Sequence, residues 1–220
     1  MLQKTKPGTV SAVQEVDGTS IRKYVAKPFE TEAFGKISAA ALDAHLGLYQ
    51  GYVVQTNSIL ESMAQLDKVG GELMENPVRP AEGLARRLAF ELNGVTLHEL
   101  FFEQYLKPTT PETGTFERAA EQNFGRVEQW RSSVCALAKT RGPGWAITAF
   151  DEGRGYLHNF WIDMHHLYVP AGLRVVFVLD LWEHAYMTDY GVKGRAEYVD
   201  AAMHAACMSC LDARIGTDSR

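Results

Sequence analysis

The spacing of apolar residues changes along this 220-residue chain, and that change limits its fold more than any other feature. In the first half, apolar residues recur at helical intervals from Ser38 onward, with Ser38 in position to cap the helix and Gly70-Gly71 ending the pattern. After Trp145, apolar residues fall instead in short runs rich in aromatic and β-branched side chains, which predict strands. We therefore expect a helical N-terminal half and a smaller C-terminal half that combines strands and helices.

The same criteria assign the other regular segments. Helices are predicted over four further segments: 82–92, 95–106, 116–139 and 195–213. The Asn93-Gly94 pair predicts a break or a kink between the first two of these helices. Strands are predicted at 145–150, 156–162 and 173–179. The last strand is apolar on both faces, which favours a covered central strand.

Glycines and prolines mark the divisions of the chain. They interrupt any regular period in residues 1–36, which we predict to be a loop-rich lead-in. Two prolines and a glycine within 107–115 indicate a linker. We therefore place a helical domain at 37–106 and the domain that contains the strands at 116–220.

Composition argues against several classes of protein. No stretch approaches the roughly 20 apolar residues that span a bilayer, and the polar N-terminus lacks the apolar segment of a secretory signal. The net charge of −5 argues against nucleic acid as a partner, because phosphate binding needs clustered Lys and Arg. Three cysteines cannot form a fully paired set of disulfides, which favours a reducing, cytoplasmic location.

The segment Asp180-Leu181-Trp182-Glu183-His184 carries the sharpest chemical signal. It directly follows the apolar strand, so Asp180 and His184 can converge just past the end of that strand. Carboxylate and neutral imidazole are suitable ligands for Fe, Mn or Zn. An Asp–His hydrogen bond at the start of a helix is the alternative that needs no metal.

Two further histidines lie on predicted helices. His45 belongs to the first long helix, with Tyr49 and Tyr52 on the same side, and His98 belongs to the helix over 95–106. Facing helices of an antiparallel hairpin can each supply one ligand. A single histidine on an apolar helix face is more often a core residue, so only the combination supports a metal site.

The segment from Asp180 to Tyr186 resembles the signature of the iron/manganese superoxide dismutases, Asp-x-Trp-Glu-His-Ala-Tyr, at every specified position. Three further segments match that family in the right order: Ile37 to Val53, Asn93 to Phe102, and Phe124-Gly125 with Gly142 to Ala146. The resemblance covers about residues 36–206, which is most of the chain.

This resemblance implies an α+β fold with an N-terminal helical hairpin domain and a C-terminal α/β domain built on a three-stranded antiparallel sheet. It implies that His45, His98, Asp180 and His184 hold one Fe or Mn ion per chain between these domains. It also implies an oxidoreductase whose metal takes an electron from one superoxide, which leaves as O₂. A second superoxide then accepts an electron and two protons and leaves as H₂O₂.

The resemblance also implies roles for residues around the ligands. Tyr52 would guard the route to the metal, and Trp145 and Trp182 would form an apolar wall around it. Glu183 would reach a ligand histidine of a partner subunit, so we expect a homodimer or a higher homo-oligomer.

The residue that hydrogen-bonds the metal-bound solvent is often Gln in this family. One family position for it corresponds here to Gly94, which has no side chain to offer. Some members carry His 15 residues before the ligand Asp, and His165 lies at that spacing from Asp180. We therefore choose His165, with His166 as the competing candidate, and the choice of His over Gln favours iron.

The chain departs from the family pattern in two places. Seven residues instead of the usual eight separate His45 from Tyr52, so a π-type bulge in this helix would be lost. Cys207 and Cys210 form a Cys-x-x-Cys pair that fits a redox switch, an extra metal clip or two small core residues. The alternative functions are a non-enzymatic metal- or redox-responsive protein that uses this pair, and a non-haem iron oxygenase.

Overall fold

The computed structural model describes residues 12–16, 19–30, 36–69, 78–105 and 112–216. The strands are β1 (Ala12–Val16), β2 (Thr19–Lys23), β3 (Gly144–Asp151), β4 (Tyr156–Asp163) and β5 (Arg174–Asp180). The helices are α1 (Ala39–Val69), α2 (Val78–Glu103), α3 (Thr115–Phe124), α4 (Val127–Leu137), α5 (Glu183–Tyr190), α6 (Arg195–Ala205) and α7 (Met208–Gly216). Long helices precede a three-stranded antiparallel sheet, which confirms the predicted α+β fold.

The helices α1 and α2 form an antiparallel hairpin. The His45 ring contacts Phe102, and two turns later in α1 the Tyr52 ring contacts Phe90. Later residues of α1 therefore contact earlier residues of α2, as expected for antiparallel helices. This arrangement sets the middle of α1 against the C-terminal half of α2. His98, the second candidate ligand on a helix, lies in that half.

The predicted boundaries of these two helices are partly right. Ser38 caps α1 as predicted, because its Oγ accepts a hydrogen bond from the Ala41 N–H at 3.2 Å. The predicted break at Asn93-Gly94 is wrong, since α2 runs through it without interruption. Gly94 makes room for the Tyr52 ring instead of forming a turn, because a Cβ at this position would lie 2.8 Å from Cδ1 of that ring.

The sheet has the strand order β4-β3-β5, so the prediction that the last strand is central is wrong. Trp145 in the central strand β3 pairs with Ile162 on one side and with Asp180 on the other. The outer edge of β5 is covered by the side chain of Gln104, whose amide donates to the Val178 carbonyl and accepts from the Val178 N–H at 3.2 Å. An edge strand such as β5 can therefore be apolar on both faces. The backbone hydrogen-bonding groups on its open edge are paired by a side chain instead of by a neighbouring strand.

Two predicted helices are each divided into two, which corrects the assignments 116–139 and 195–213. Gly125, with φ at +85°, ends α3 before α4 begins. Ala206 has an extended backbone and separates α6 from α7. A helical period does not reveal such breaks, because both halves bury apolar residues in the same core.

The lead-in over residues 1–36 contains a β-hairpin that the loop-rich prediction missed, with Ala12 of β1 opposite Lys23 of β2. The segment after it is attached to α1, because the Asn57 side chain bonds both the N–H and the carbonyl of Tyr24, at 2.8 and 2.9 Å. Residues 1–11, Gly70-Gly71 and the linker positions up to 111 lie outside the described residues, and the division into domains stays a prediction. Among the helices that the structure describes, none is long and apolar enough to cross a membrane.

Candidate metal centre

Four side chains from four elements meet between the hairpin and the sheet. His45 lies on α1, His98 on α2, Asp180 at the end of β5 and His184 in the first turn of α5. One ligand atom from each residue lies within 4.8 Å of the others. The first three side chains are buried and the fourth is mostly so, which makes this a closed cluster rather than a surface group of charges.

The imidazoles converge on one carboxylate oxygen. Nε2 of His45 and Nε2 of His184 each lie 3.0 Å from Oδ2 of Asp180, and Nε2 of His98 lies 3.6 Å from the same atom. The other carboxylate oxygen, Oδ1, accepts the Trp182 N–H at 3.0 Å. This backbone hydrogen bond orients the carboxylate so that Oδ2 faces the three rings.

His98 shows that the cluster suits a metal better than it suits the side chains alone. Its Nδ1 bonds the Gly94 carbonyl at 2.6 Å, so this nitrogen carries the proton of the neutral ring. Its Nε2 then presents a lone pair, and it is fully buried with no hydrogen-bond partner among the described residues. A buried polar atom without a partner is costly, and a cation within the cluster would remove that cost.

The charges of the cluster also favour a cation. Burial lowers the pKa of His45, and burial together with His45 lowers the pKa of His98 well below its usual range. Burial acts to raise the pKa of Asp180, but His184 and His45 outweigh it and hold that pKa well below its usual range. The cluster therefore offers two neutral imidazoles and one carboxylate as ligands.

His184 completes the electrostatic description. Burial acts to lower its pKa, but the adjacent Asp180 carboxylate outweighs burial and raises it. A proton on His184 therefore partly neutralises Asp180 when no other cation is bound. Three imidazoles and a carboxylate form a donor set that suits Fe or Mn, and a metal ion would displace this proton.

His165 joins Tyr52 and Trp145 in a hydrogen-bonded chain beside the cluster. The Trp145 Nε1–H can only donate, so His165 Nδ1 accepts it, at 2.9 Å. His165 Nε2 lies 2.8 Å from the Tyr52 hydroxyl and therefore carries the proton of the neutral ring. Burial lowers the pKa of His165 to about 4 and raises that of Tyr52 to about 12, so both groups are neutral near pH 7.

Aromatic rings enclose this chain. Trp182 stacks on His165, with ring centroids 4.8 Å apart and planes at 17°, and it also stacks on His184 at 5.9 Å. The ring of the competing candidate His166 lies 5.6 Å from that of Phe90, and within the described part of the chain it is His165, not His166, that bonds Tyr52 and Trp145. Of the two histidines, His165 is therefore the one connected to the cluster.

Comparison with known proteins agrees with this geometry. Residues 112–209 match the family described as iron/manganese superoxide dismutases, C-terminal domain. The iron superoxide dismutase of Cupriavidus metallidurans is 35% identical over 157 residues, which cover 70% of this chain and 76% of the relative. Superoxide dismutase [Mn] 2 of Haloferax volcanii is 33% identical over 179 residues, which cover 79% of this chain and 85% of the relative. The chain belongs to the iron/manganese superoxide dismutase family.

Some of these relatives are named as iron superoxide dismutases and others as manganese superoxide dismutases. A third example, the iron superoxide dismutase of Saccharolobus solfataricus, is 29% identical over 180 residues, which cover 79% of this chain and 83% of the relative. The family therefore establishes an Fe/Mn-type centre in this chain, and it leaves the choice between the two metals to other observations.

The shortened spacing in α1 is accommodated by an ordinary α-helix. Tyr52 follows His45 by seven residues, and α1 continues through both without a π-turn. Seven residues correspond to about 700° of helical rotation, so the two side chains project from nearly the same face. Eight residues would separate them by about 80°, which is the displacement that a π-bulge corrects. This superoxide dismutase therefore lacks one residue and retains the arrangement of ligand and tyrosine.

Phe90 is a residue of the site that the sequence did not predict. Its ring lies 4.7 Å from His165 and 6.1 Å from Tyr52, so it covers the hydrogen-bonded chain from the α2 side. The Arg87 guanidinium lies over the same ring, 4.6 Å from its centroid. The spacing of Phe90, Gly94 and His98 at intervals of four residues was the signal that could have placed this ring on the face of α2 that carries the ligand.

Proposed function

We propose that this protein disproportionates superoxide into O₂ and H₂O₂ with one Fe or Mn ion per chain, held by His45, His98, Asp180 and His184. The observation that carries the proposal is the buried convergence of three imidazoles on one carboxylate, with His98 Nε2 left without a partner. When bound, the metal supplies a one-electron couple that accepts an electron from one superoxide and returns it to the next. Every other requirement falls on the protein itself.

The first requirement is a rigid set of ligands. The Gly94 carbonyl orients the His98 ring, and the Trp182 N–H orients the Asp180 carboxylate. Such supporting hydrogen bonds select the ligating nitrogen or oxygen and tune the basicity of the ligand. The ligand set therefore depends on backbone groups as well as on the four side chains.

The second requirement is a proton source, because reduction of superoxide to H₂O₂ consumes two protons. We assign the hydrogen-bonding role beside the metal to His165 and the outer position to Tyr52. The Trp145 Nε1–H holds His165 in the form that carries its proton on Nε2, which faces Tyr52. A neutral imidazole has a single N–H to donate where a Gln amide has two, so His165 serves either Tyr52 or the metal site at any moment.

The third requirement is selective access. Trp145, Trp182 and Phe90 surround His165 with aromatic rings, and we expect this enclosure to favour a small substrate. The enclosure also keeps the dielectric constant low, so the charges of the ligands act strongly on the substrate.

The choice of metal is a separate part of the proposal. We infer a preference for iron, because His165 occupies the position where the family often has Gln. The imidazole N–H and the amide N–H differ in acidity, and hydrogen bonds beside a metal tune its reduction potential. Because the relatives include both iron and manganese superoxide dismutases, the protein should be reconstituted with each metal in turn.

We further propose a homodimer or higher homo-oligomer in the cytoplasm. Glu183 is exposed beside His184 and forms no hydrogen bond or ion pair with another described residue. A partner subunit could supply that missing contact, as expected for a two-fold interface. The cytoplasmic location rests on the odd number of cysteines, all of them thiols in the structure.

The decisive experiment combines metal analysis with a dismutase assay on the same sample. We expect about one Fe or Mn ion per chain and rapid loss of superoxide, both abolished by His184→Ala. The matched control is His204→Ala, since His204 is an exposed histidine on α6 whose ring bonds the Asp200 carbonyl rather than a residue of the cluster. Bound metal without dismutation in either the iron- or the manganese-loaded form would refute the proposed function.

A further inference from the structure

The break between α6 and α7 places two cysteines at the start of α7. Cys207 is the N-cap of α7, because its carbonyl accepts the Leu211 N–H at 3.4 Å. Cys210 lies three residues later, and its backbone N–H donates to Cys207 Sγ at 3.3 Å. A sulfur here takes the place that a Ser or Asp oxygen usually has in an N-cap.

The two cysteines lie next to each other in the fold. Cys207 Sγ accepts the Cys210 backbone N–H, the Cys210 thiol donates to the Glu103 carbonyl at 3.4 Å, and both cysteines are partly exposed. Cys207 Sγ lies 3.3 Å from the backbone nitrogen of Cys210, which places the first sulfur within side-chain reach of the second cysteine, so we expect an S–S bond to form with little backbone movement. A small oxidant can therefore reach a pair of thiols that is already positioned to react.

The two thiols differ in their surroundings. Cys207 Sγ accepts an amide N–H, lies 3.1 Å from the Ser209 hydroxyl and sits at the positive end of α7. Burial, together with the hydrogen bond to Cys207, raises the pKa of Cys210 to about 12, so Cys210 keeps its proton. Cys207 is thus the nucleophile and Cys210 the resolving thiol.

We propose that Cys207 and Cys210 are a redox-active dithiol that hydrogen peroxide oxidises to an intramolecular disulfide. The Cys207 thiolate attacks one oxygen of H₂O₂, which breaks the O–O bond, forms a sulfenic acid and releases hydroxide. The Cys210 sulfur then attacks the sulfenic sulfur and forms the S–S bond. The hydroxyl group of the sulfenic acid leaves with the Cys210 proton as water. The two thiols lose two electrons in total, and one peroxide becomes two molecules of water once the hydroxide is protonated.

The source of peroxide in this proposal is the enzyme's own reaction, so that part rests on the proposed function. The dithiol chemistry itself does not, because peroxide can be added from outside. Each dismutation cycle releases H₂O₂ in the same molecule that carries the dithiol. The pair would therefore record how much superoxide the enzyme has processed.

The test starts from the reduced, metal-loaded protein, which has three thiols. After brief exposure to a stoichiometric amount of H₂O₂, we expect the thiol count to fall from three to one and to return to three with dithiothreitol. Intact mass should decrease by two hydrogen atoms, and peptide mapping should join Cys207 to Cys210. Retention of all three thiols, or a disulfide that includes Cys135, would overturn the proposal.

Three variants separate the roles of the cysteines. Cys135→Ser serves as the matched control and should still lose both remaining thiols to the disulfide. Cys207→Ser should keep both of its thiols, whereas Cys210→Ser should accumulate a sulfenic acid that dimedone traps at Cys207. Rapid oxidation of Cys210 in the Cys207→Ser variant would refute the assigned order.

A second arm tests the internal source of peroxide. A superoxide-generating system should oxidise the pair in the active protein, even with catalase present to remove peroxide from the bulk solution. If added peroxide forms the disulfide but superoxide does not, while dismutation is measured in the same sample, self-supply is refuted. If dismutation itself is absent, the proposed function fails and the response to added peroxide still decides the dithiol chemistry.

Discussion

Gly94 provides the sharpest test of how the helical hairpin positions the site. It lies in the interior of α2, where alanine is normally the better residue. A Cβ at this position would lie 2.8 Å from Cδ1 and 2.9 Å from Cγ of the Tyr52 ring. Gly94→Ala should therefore have two opposing effects: the higher helix propensity of alanine stabilises α2, and the added Cβ crowds Tyr52, the residue that bonds His165.

The two effects have comparable size. Replacing glycine by alanine within a helix stabilises it by about 1 kcal/mol. A contact of 2.8 Å is 0.6 Å closer than the 3.4 Å at which ordinary van der Waals contact begins. Overpacking of this kind costs about 1–3 kcal/mol, so we expect Gly94→Ala to range from neutral to about 2 kcal/mol less stable than the wild type.

Gly83 offers a matched control on the same helix. Nothing lies within 4 Å of a Cβ built on Gly83, which is exposed. Gly83→Ala should therefore gain the full helix-propensity benefit of about 1 kcal/mol. Urea unfolding of both metal-loaded variants should place Gly94→Ala about 1–3 kcal/mol below Gly83→Ala in free energy of unfolding.

Dismutase activity gives an independent measurement. The added methyl group should displace the Tyr52 ring and lengthen its 2.8 Å hydrogen bond with His165, which we expect to lower activity by about 10-fold. Gly83→Ala should keep wild-type activity. Equal stabilisation of both variants with full activity in Gly94→Ala would refute the argument that Gly94 sets the position of Tyr52.

Three further predictions follow from other contacts. Trp145→Phe removes the donor to His165 Nδ1 and should lower activity or metal affinity by about 10- to 100-fold, measured by stopped-flow decay of superoxide and by metal content. Gln104→Leu leaves two buried backbone groups of β5 unpaired and should cost about 2–5 kcal/mol in urea unfolding. Burial acts to raise the pKa of Asp212, but three backbone amides at the start of α3 outweigh it and lower that pKa. Its carboxylate should therefore stabilise the fold by about 1 kcal/mol above about pH 4, and the advantage over Asp212→Asn should vanish as the pH falls through the lowered pKa; an advantage that persists at low pH would contradict this.

Local patterns in the sequence predicted the elements that depend on near neighbours. The N-cap at Ser38 and the three strands after residue 144 follow from residue types and spacing within a few positions, and the structure has them. The predictions that failed depended on packing. The local sequence predicts a helix break at Gly94, because the contact with Tyr52 that favours glycine there is not visible in the sequence. It likewise predicts that β5 is a central strand, because it does not show that Gln104 pairs with the edge of that strand.

The candidate metal ligands Asp180 and His184 could be proposed from the sequence, because the motif around them specifies both the residue types and their spacing. Their meeting with His45 and His98 depends on the tertiary structure, since the ligands from the hairpin and from the sheet lie far apart along the chain. The same is true of His165. Its spacing in the sequence marked it as a candidate, but only its contacts with Trp145 and Tyr52 determine which ring nitrogen carries the proton, because hydrogen-bond geometry is a property of distances in space.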